Sequence, residues 1–411
     1  MNPAPAPARK RFLLKKKVVE ADVLTLARER VAHTFDLFDT VSVSFSGGKD
    51  STACLHLALD EATKRNRLPL DVIFLDEEAI PWQTVEYVAR CMDRPDIRLR
   101  WYCTPVKHRN GCSHKEPWWY VWDPRIPEKW VRPYPTERAW PDPKGFKHGM
   151  TWPDMAGLCY PPDEFGTVGV IMGIRGQESL TRQRAVSHRV DDNYLIPYNE
   201  LTSRKNVTKS YPIYDWCTED VWTYPNKMGY DYNRAYDLLE KAGLDHHAQR
   251  CAPPFGEEPM RGLWTFKVCF PEIWDKMHNR VPGAATAARY SSTAIYAYGG
   301  LPTKSPSISW EEFILLHLSK FNPEDKAFVA SRLKQEIKVH YSKTRDPILY
   351  SVKHPITGLS WKFLLNIAVR GDFKGRKIAG QGIPTEEKDK AAAFAKYNAA
   401  LIKYRAGDDY A

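Results

Sequence analysis

Residues 46–52, Ser46-Gly47-Gly48-Lys49-Asp50-Ser51-Thr52, place hydroxyls, two glycines, an ammonium and a carboxylate within seven positions. The run Val41-Ser42-Val43-Ser44-Phe45 before them alternates with the period of a strand, and Ala53-Cys54-Leu55-His56-Leu57-Ala58-Leu59 continues at helical spacing from Thr52. A strand, a tight loop and a helix N-terminus therefore follow one another, and that junction suits an anion. The free N–H groups of the first helical turn point at the loop, and the helix dipole favours negative charge there. Gly47 and Gly48 let the backbone approach phosphate oxygens, Lys49 adds a point charge, and Ser44, Ser46, Ser51 and Thr52 offer hydroxyls. No glycine stands five residues before the Gly-Lys pair, so this is not a Walker A loop.

Further candidates lie downstream. Val168–Met172 reads as a buried strand that delivers Gly173, Arg175 and Gly176 to a sheet edge, followed by Glu178, Ser179, Arg182 and Arg184 on a helix. Arg175 and Arg182 offer forked donors to phosphate or sulfate oxygens. Asp71–Asp76 is a short apolar run ending in an acid, as expected of a parallel strand whose C-terminus faces a ligand crevice. Asp76 also reads as the N-cap of the helix that follows. Cys251, with Arg250 beside it and His246-His247 nearby, is a candidate redox thiol of lowered pKa if those groups are also close in space.

The motifs carry a resemblance. Ser46–Ser51 resembles the pyrophosphate loop of PP-loop ATP pyrophosphatases, and its flanks resemble phosphoadenosine phosphosulfate (PAPS) reductases and the small subunit of ATP sulfurylase. Gly173-Ile174-Arg175 with Glu178, Ser179 and Arg182 is similar to a family segment lining the phosphate side of the pocket. Tyr211–Trp222 is similar to the segment Pro-Ile-x-Asp-Trp-x-x-x-Asp-Val-Trp. The resemblance spans about residues 20 to 240 and implies an α/β fold: a parallel-sheet adenine nucleotide α-hydrolase domain, HUP-like, with a mainly helical C-terminal domain.

It also implies an adenine nucleotide, ATP or PAPS, with Mg2+, for which Asp50 and Asp76 are the candidate ligands, Asp76 being a candidate for the ribose as well. Lys49, Asp50, Arg175 and Arg182 become catalytic candidates. Gly47, Gly48, Ser51, Asp76, Gly173 and Glu178 become binding candidates. The expected reaction is cleavage of ATP between its α and β phosphates. The alternatives are thiol-dependent PAPS reduction through Cys251 and a nucleotide-sensing, nucleic-acid-associated regulator without turnover. The reductases' Glu-Cys-Gly-Leu-His segment is missing, and Cys251 is the nearest substitute. With no Cys-x-x-Cys and no Cys-Cys among the eight cysteines, no iron–sulfur cluster is expected. The C-terminal part resembles immunoglobulin-binding regulator A type proteins, which implies a ParB-like partner.

These groups need a scaffold. The chain has 411 residues, enough for two or three domains. The divisions expected are a basic arm at 1–20, a nucleotide-binding domain at 21–250 with an insertion at about 107–162, and an additional domain at 251–411. The formal charge is +10, and the arm holds six Lys and Arg against Glu20, which suits a polyanion and makes nucleic acid a possible partner. The insertion mixes Trp, Pro, Arg and Lys, and reads as a lid or substrate wall or as a single-strand binding surface. Its His108, Cys112, His114 and Cys159 lack a recognised metal spacing. No apolar run is long enough for a bilayer and no signal core stands at the start, so a cytoplasmic protein is expected, with homo-oligomers open.

Overall fold

The computed structural model describes residues 20–178, 182, 183, 186, 193–198, 205–256, 262–290, 301–373, 375, 377–380, 383, 384, 386–408 and 410. The basic arm up to residue 19, Ser179 and Arg184 lie outside the described residues. The chain divides into two compact units interleaved in sequence. The first takes in the described residues up to His108, then Tyr120–Pro254 and Trp264–Arg280; the second takes in Arg109–Trp119, Phe255–Leu263 and the chain from Val281 onward.

A seven-stranded sheet organises the first unit. Its strands are Thr40–Ser44 (β1), Leu70–Leu75 (β2), Ile97–Tyr102 (β3), Ala139–Trp140 (β4), Val168–Met172 (β5), Leu195–Pro197 (β6) and Val207–Ser210 (β7). The order is β4-β3-β2-β1-β5-β7-β6, parallel except for the β6–β7 pair. β1 is central, with Ser44 in register with Ile73 on one side and Met172 on the other. The largely apolar runs of β2 and β5 follow from that placement, since a parallel strand covered on both faces has no polar side, while β1 alternates valine with serine. The order reverses direction at β1, so the crevice at its C-terminal end is where such sheets bind ligands.

Helix Val23–Leu37 (α1) starts at Asp22, whose side chain accepts from the Thr25 N–H at 2.9 Å. That cap and the buried face Ala27, Val31 and Phe35 match the amphipathic pattern in the sequence. Helix Lys49–Lys64 (α2) begins three residues earlier than its apolar spacing suggests, so Lys49, Asp50 and Ser51 are its first turn. Trp82–Met92 (α3) follows β2, with Pro81 as its N-cap. Thr218–Lys227 (α4) is capped by Cys217 rather than by Thr218, which is its first helical residue. Ala235–Lys241 (α5) completes the set around the loop.

The second unit is helical. Trp310–Leu318, Pro323–Lys343 and Trp361–Arg370 bury Trp310, Phe313, Leu318, Val329, Leu333, Leu364 and Leu365 in one cluster. Asn322 caps the second of these helices and Ser360 the third. Among the described residues no helix is long and apolar enough to cross a membrane.

Candidate functional site

Between β1 and α2 the backbone turns through Phe45–Gly48. Gly47 has φ +71°, and a Cβ there would lie 2.9 Å from Thr84 Cγ2 and 3.0 Å from Val88 Cγ2, so both conformation and space require glycine. Gly48 is the N-cap of α2 and supplies no side-chain cap to the first turn. The cap's usual oxygen is absent at the point where an anion would replace it. Gly173 closes the other side: a Cβ would come within 2.7 Å of the Asp50 carbonyl carbon and 2.8 Å of the Ser51 nitrogen. The exit of β5 thus rides directly on the first turn of α2.

The hydroxyls of this turn are knitted together. Ser46 and Ser51 share a hydrogen bond of 3.0 Å, and the Ser51 hydroxyl also contacts the Gly48 carbonyl at 2.9 Å. Ser44 ends β1, and Thr52 is buried in the helix beside the loop.

The charged candidates are held by the protein itself. The Lys49 ammonium donates to the Gln249 carbonyl at 2.9 Å and to the His246 carbonyl at 3.4 Å, and sits 5.3 Å from the Tyr236 ring centre. Burial lowers its pKa. Lys49 is therefore not presented as a free phosphate-binding cation, as its sequence position suggests. Arg175 is 3% exposed. Its Nε pairs with Asp50, and one terminal nitrogen reaches the Gln177 side chain at 2.9 Å and Thr218 Oγ1 at 3.4 Å. The expected fork on phosphate is instead a brace between α2 and the start of α4. Arg182 pairs with Glu178.

Asp76 departs further from the sequence reading. It is fully buried, and its carboxylate accepts from Trp101 Nε1 at 2.9 Å, from the Glu78 N–H at 2.9 Å and from Arg132. Glu78, equally buried, accepts from the Trp122 and Val131 amides and pairs with Arg280. These two acids pin the stretch 122–132 of the Trp-rich insertion onto the exit of β2. Asp76 thus acts in this structure as an anchor for the insertion, its two oxygens meeting Trp101, the Glu78 N–H, Arg132 and the Cys103 thiol. Asp50 is likewise committed to Arg175, and no group of three or more His, Cys, Asp or Glu side chains able to hold a metal occurs among the described residues.

Cys251 is buried, and burial pushes its thiol up to about 11. The neighbouring Lys49 opposes that shift without overcoming it, so the lowered thiol suggested by Arg250 and the two histidines does not form.

Two residues outside the sequence expectations hold the loop. Asn233 Nδ2 donates to the Gly47 carbonyl at 2.9 Å and to Thr84 Oγ1 at 2.8 Å, while the Tyr236 hydroxyl accepts from the Lys49 N–H at 2.9 Å. Asn233 also turns the chain into α5, its Oδ1 accepting from the Ala235 N–H. That Asx turn is a local signal in the sequence. The contacts to Gly47 and Lys49 bridge more than 180 residues, and nothing local announces them.

Residues 40–239 match the family model of the phosphoadenosine phosphosulfate reductase domain, and residues 243–346 match that of a domain of unknown function, DUF3440. The second match does not extend the resemblance to immunoglobulin-binding regulators. The chain is 29% identical over 397 residues, 92% of its length and 93% of the relative's, to the uncharacterized protein YbdN of Escherichia coli (strain K12). It is 25% identical over 228 residues to sulfate adenylyltransferase subunit 2 of Psychromonas ingrahamii, covering 53% of this chain and 65% of that one. Among solved structures, phosphoadenylyl-sulfate reductase from Candida auris aligns at 14% identity and TM-score 0.30, over 54% of this chain and 93% of that one. Candida glabrata FMN adenylyltransferase aligns at 13% identity and TM-score 0.33, over 52% and 57%. Likenesses of that strength say nothing about the reaction. The sheet, its loop and α4 thus lie within the residues that match the phosphoadenosine phosphosulfate reductase domain model.

Proposed function

We propose that this domain binds an adenine nucleotide and cleaves ATP between the α and β phosphates. An acceptor oxygen forms a bond to the α-phosphorus, the bond from that phosphorus to the bridging oxygen breaks, and pyrophosphate leaves with the electron pair. The observation that carries the reading is the bare backbone at the exit of β1. Gly47, Gly48 and Gly173 surround a helix start whose N-cap residue has no side chain, with the Tyr236 hydroxyl accepting from the Lys49 N–H. A phosphoryl tail would bring acceptors to the N–H groups that follow in that turn. Ser46 and Ser51 hold the turn through their shared hydrogen bond, and Arg175 keeps Asp50 and the first turn in place, so catalysis is mainly positioning and charge stabilisation. The match to a relative named sulfate adenylyltransferase subunit 2 is consistent with adenylyl transfer.

Thiol-dependent PAPS reduction is the weaker reading, because a buried thiol with a raised pKa is a poor nucleophile. No step is assigned to a resident metal.

Incubating the full chain with ATP and magnesium chloride and identifying products by mass spectrometry tests the proposal. Pyrophosphate release that is lost in Gly48→Val and retained in Cys251→Ser supports it. If calorimetry detects no association with ATP, AMP or PAPS, the proposal fails. Sulfite release from PAPS that disappears in Cys251→Ser would replace it with the reductase reading.

A further inference from the structure

In the helical unit two buried histidines stand together. His340 lies on the helix Pro323–Lys343 and His354 in the stretch that follows it, with ring centroids 4.9 Å apart. Their partners fix where each ring carries its proton. His340 Nε2 lies 2.9 Å from the Asp346 carbonyl oxygen, which only accepts, so the proton is on Nε2 and Nδ1 accepts from the Thr357 hydroxyl at 2.7 Å. The Ile356 N–H donates to His354 Nδ1 at 3.3 Å, which leaves the His354 proton on Nε2, 3.3 Å from an Asp346 carboxylate oxygen. Two neutral rings thus pin the stretch 346–357.

A second proton on His340 would be a buried cation. The counter-charge it meets is the Asp346 carboxylate, which already accepts from His354 and from Thr344 Oγ1 at 3.0 Å. Its own helix adds Tyr341, edge-on at 4.8 Å. Burial and His354 disfavour a charged His340 more than the Asp346 carbonyl and carboxylate favour it, so its pKa lies below the ordinary 6.5.

The helix Glu387–Arg405 depends on that stretch. Its buried residues are Tyr397 and Ala400, which cluster with Leu349. The Tyr397 hydroxyl donates to the Pro347 carbonyl at 2.6 Å, and its ring meets His354 edge-on at 4.8 Å. Tyr404 and Arg405 are the titratable groups this helix brings near Tyr397. Beyond the helix, the Tyr410 hydroxyl accepts from the Lys304 N–H at 2.7 Å and donates to the Lys304 carbonyl at 3.0 Å, a separate tether for the chain end.

We propose that His340 and His354 form a proton-operated latch: a proton taken up by His340 loosens the stretch 346–357 and lifts the helix Glu387–Arg405 off Leu349, with Tyr410 as its tether. Above pH 6.5 the His340 ring is neutral in both closed and open forms, and the latch is at full strength. Below it the open form takes up a proton that the closed form refuses. One histidine of ordinary pKa multiplies the open population by about tenfold between pH 7.5 and pH 5.5.

Hydrogen–deuterium exchange of the full chain at pH 7.5 and pH 5.5, read by mass spectrometry and corrected for intrinsic exchange, tests the latch. Protection of the amides at 387–405 should fall about tenfold on acidification, while the helix Trp310–Leu318 in the same unit stays within about twofold. His340→Gln keeps a donor for the Asp346 carbonyl and cannot charge, so its protection at 387–405 should agree between the two pH values within about twofold. Tyr397→Ala removes the anchor itself and should leave 387–405 unprotected at both. Histidine ring NMR needs no variant: the His340 ring should carry its proton on Nε2 at pH 7.5 and titrate below 6.5. Equal protection of 387–405 at the two pH values in the parent, the same tenfold loss in His340→Gln, an equal loss at Trp310–Leu318, or a His340 ring that titrates at 6.5 or above overturns the proposal.

Discussion

The Lys49 ammonium lies 2.9 Å from the carbonyl oxygen of Gln249, two hundred residues away in sequence, and it closes the segment 246–249 against the first turn of α2. A lysine in a glycine loop would ordinarily be assigned to phosphate. Its present partners make it a clasp. Lys49→Met should therefore cost about 1–3 kcal/mol, the range for losing charge-assisted bonds while also removing a desolvated charge. ATP affinity should fall by less than about fivefold, since the backbone cradle is untouched. Urea unfolding and calorimetry on the same variant separate the two effects. A variant of unchanged stability that loses ATP a hundredfold would return Lys49 to the phosphate.

Arg175 and Asp50 form a second brace, and the geometry is specific to a guanidinium. One flat group reaches Asp50, Gln177 and Thr218 together. Lysine has the charge without the fork, so Arg175→Lys should destabilise by about 2–4 kcal/mol. Asp50→Asn leaves a buried guanidinium short of its counter-charge and should cost a similar amount. The double variant Asp50→Asn with Arg175→Met should be better than the sum of the single losses, and a coupling energy near zero in the cycle would show that the pair does not act as a unit.

Much of the framework was readable in advance because its signals are local. Asp22 announces α1, the alternation of valine and serine marks β1, the apolar runs mark β2 and β5, and the glycine loop marks the junction at the sheet's centre. What misled was the assignment of charged side chains. Asp76 reads as a crevice acid from its place at a strand end, yet Trp101, Glu78 and Arg132 consume it. Arg132 comes from the insertion, whose irregular sequence gives no hint of where it folds back. Lys49 and Arg175 fail for the same reason: their partners at 246–249 and at Gln177 and Thr218 are chosen by tertiary packing. Asn233 and Tyr236 were invisible as loop holders because a polar residue before a short helix looks like any other turn.

The buried state of Cys251 separates the two enzymatic readings. With its thiol pushed up to about 11, less than about one part in a thousand is thiolate at neutral pH. Iodoacetamide should leave Cys251 unlabelled in the native chain at pH 7.5 and modify it once urea is added, as followed by peptide mass spectrometry. Cys251→Ser should retain pyrophosphate release from ATP within about twofold of the parent. Rapid labelling of the native protein at this residue would revive the redox role.

His56 offers a pH signature of the α2 surface. It is 4% exposed, stacks on Tyr230 and leaves Nε2 without a partner among the described residues. Burial, helped by Arg94, lowers it to about 4 from an ordinary 6.5, against the smaller opposing pull of Asp96 and Asp231. Above pH 6.5 the ring is neutral in both folded and unfolded chains, and its contribution is fully present. As the pH falls below 6.5 the unfolded chain takes up a proton that the folded chain refuses, so stability declines until about pH 4. Between pH 7 and pH 5 the expected loss is about 2 kcal/mol. His56→Phe keeps the stack on Tyr230 and removes the titration, so the gap in unfolding free energy between variant and parent should widen by that amount over the interval. Parallel pH profiles for the two proteins would mean that His56 accepts its proton in the folded state, and that the packing between α2 and Tyr230 is looser than the 3.7 Å stack implies.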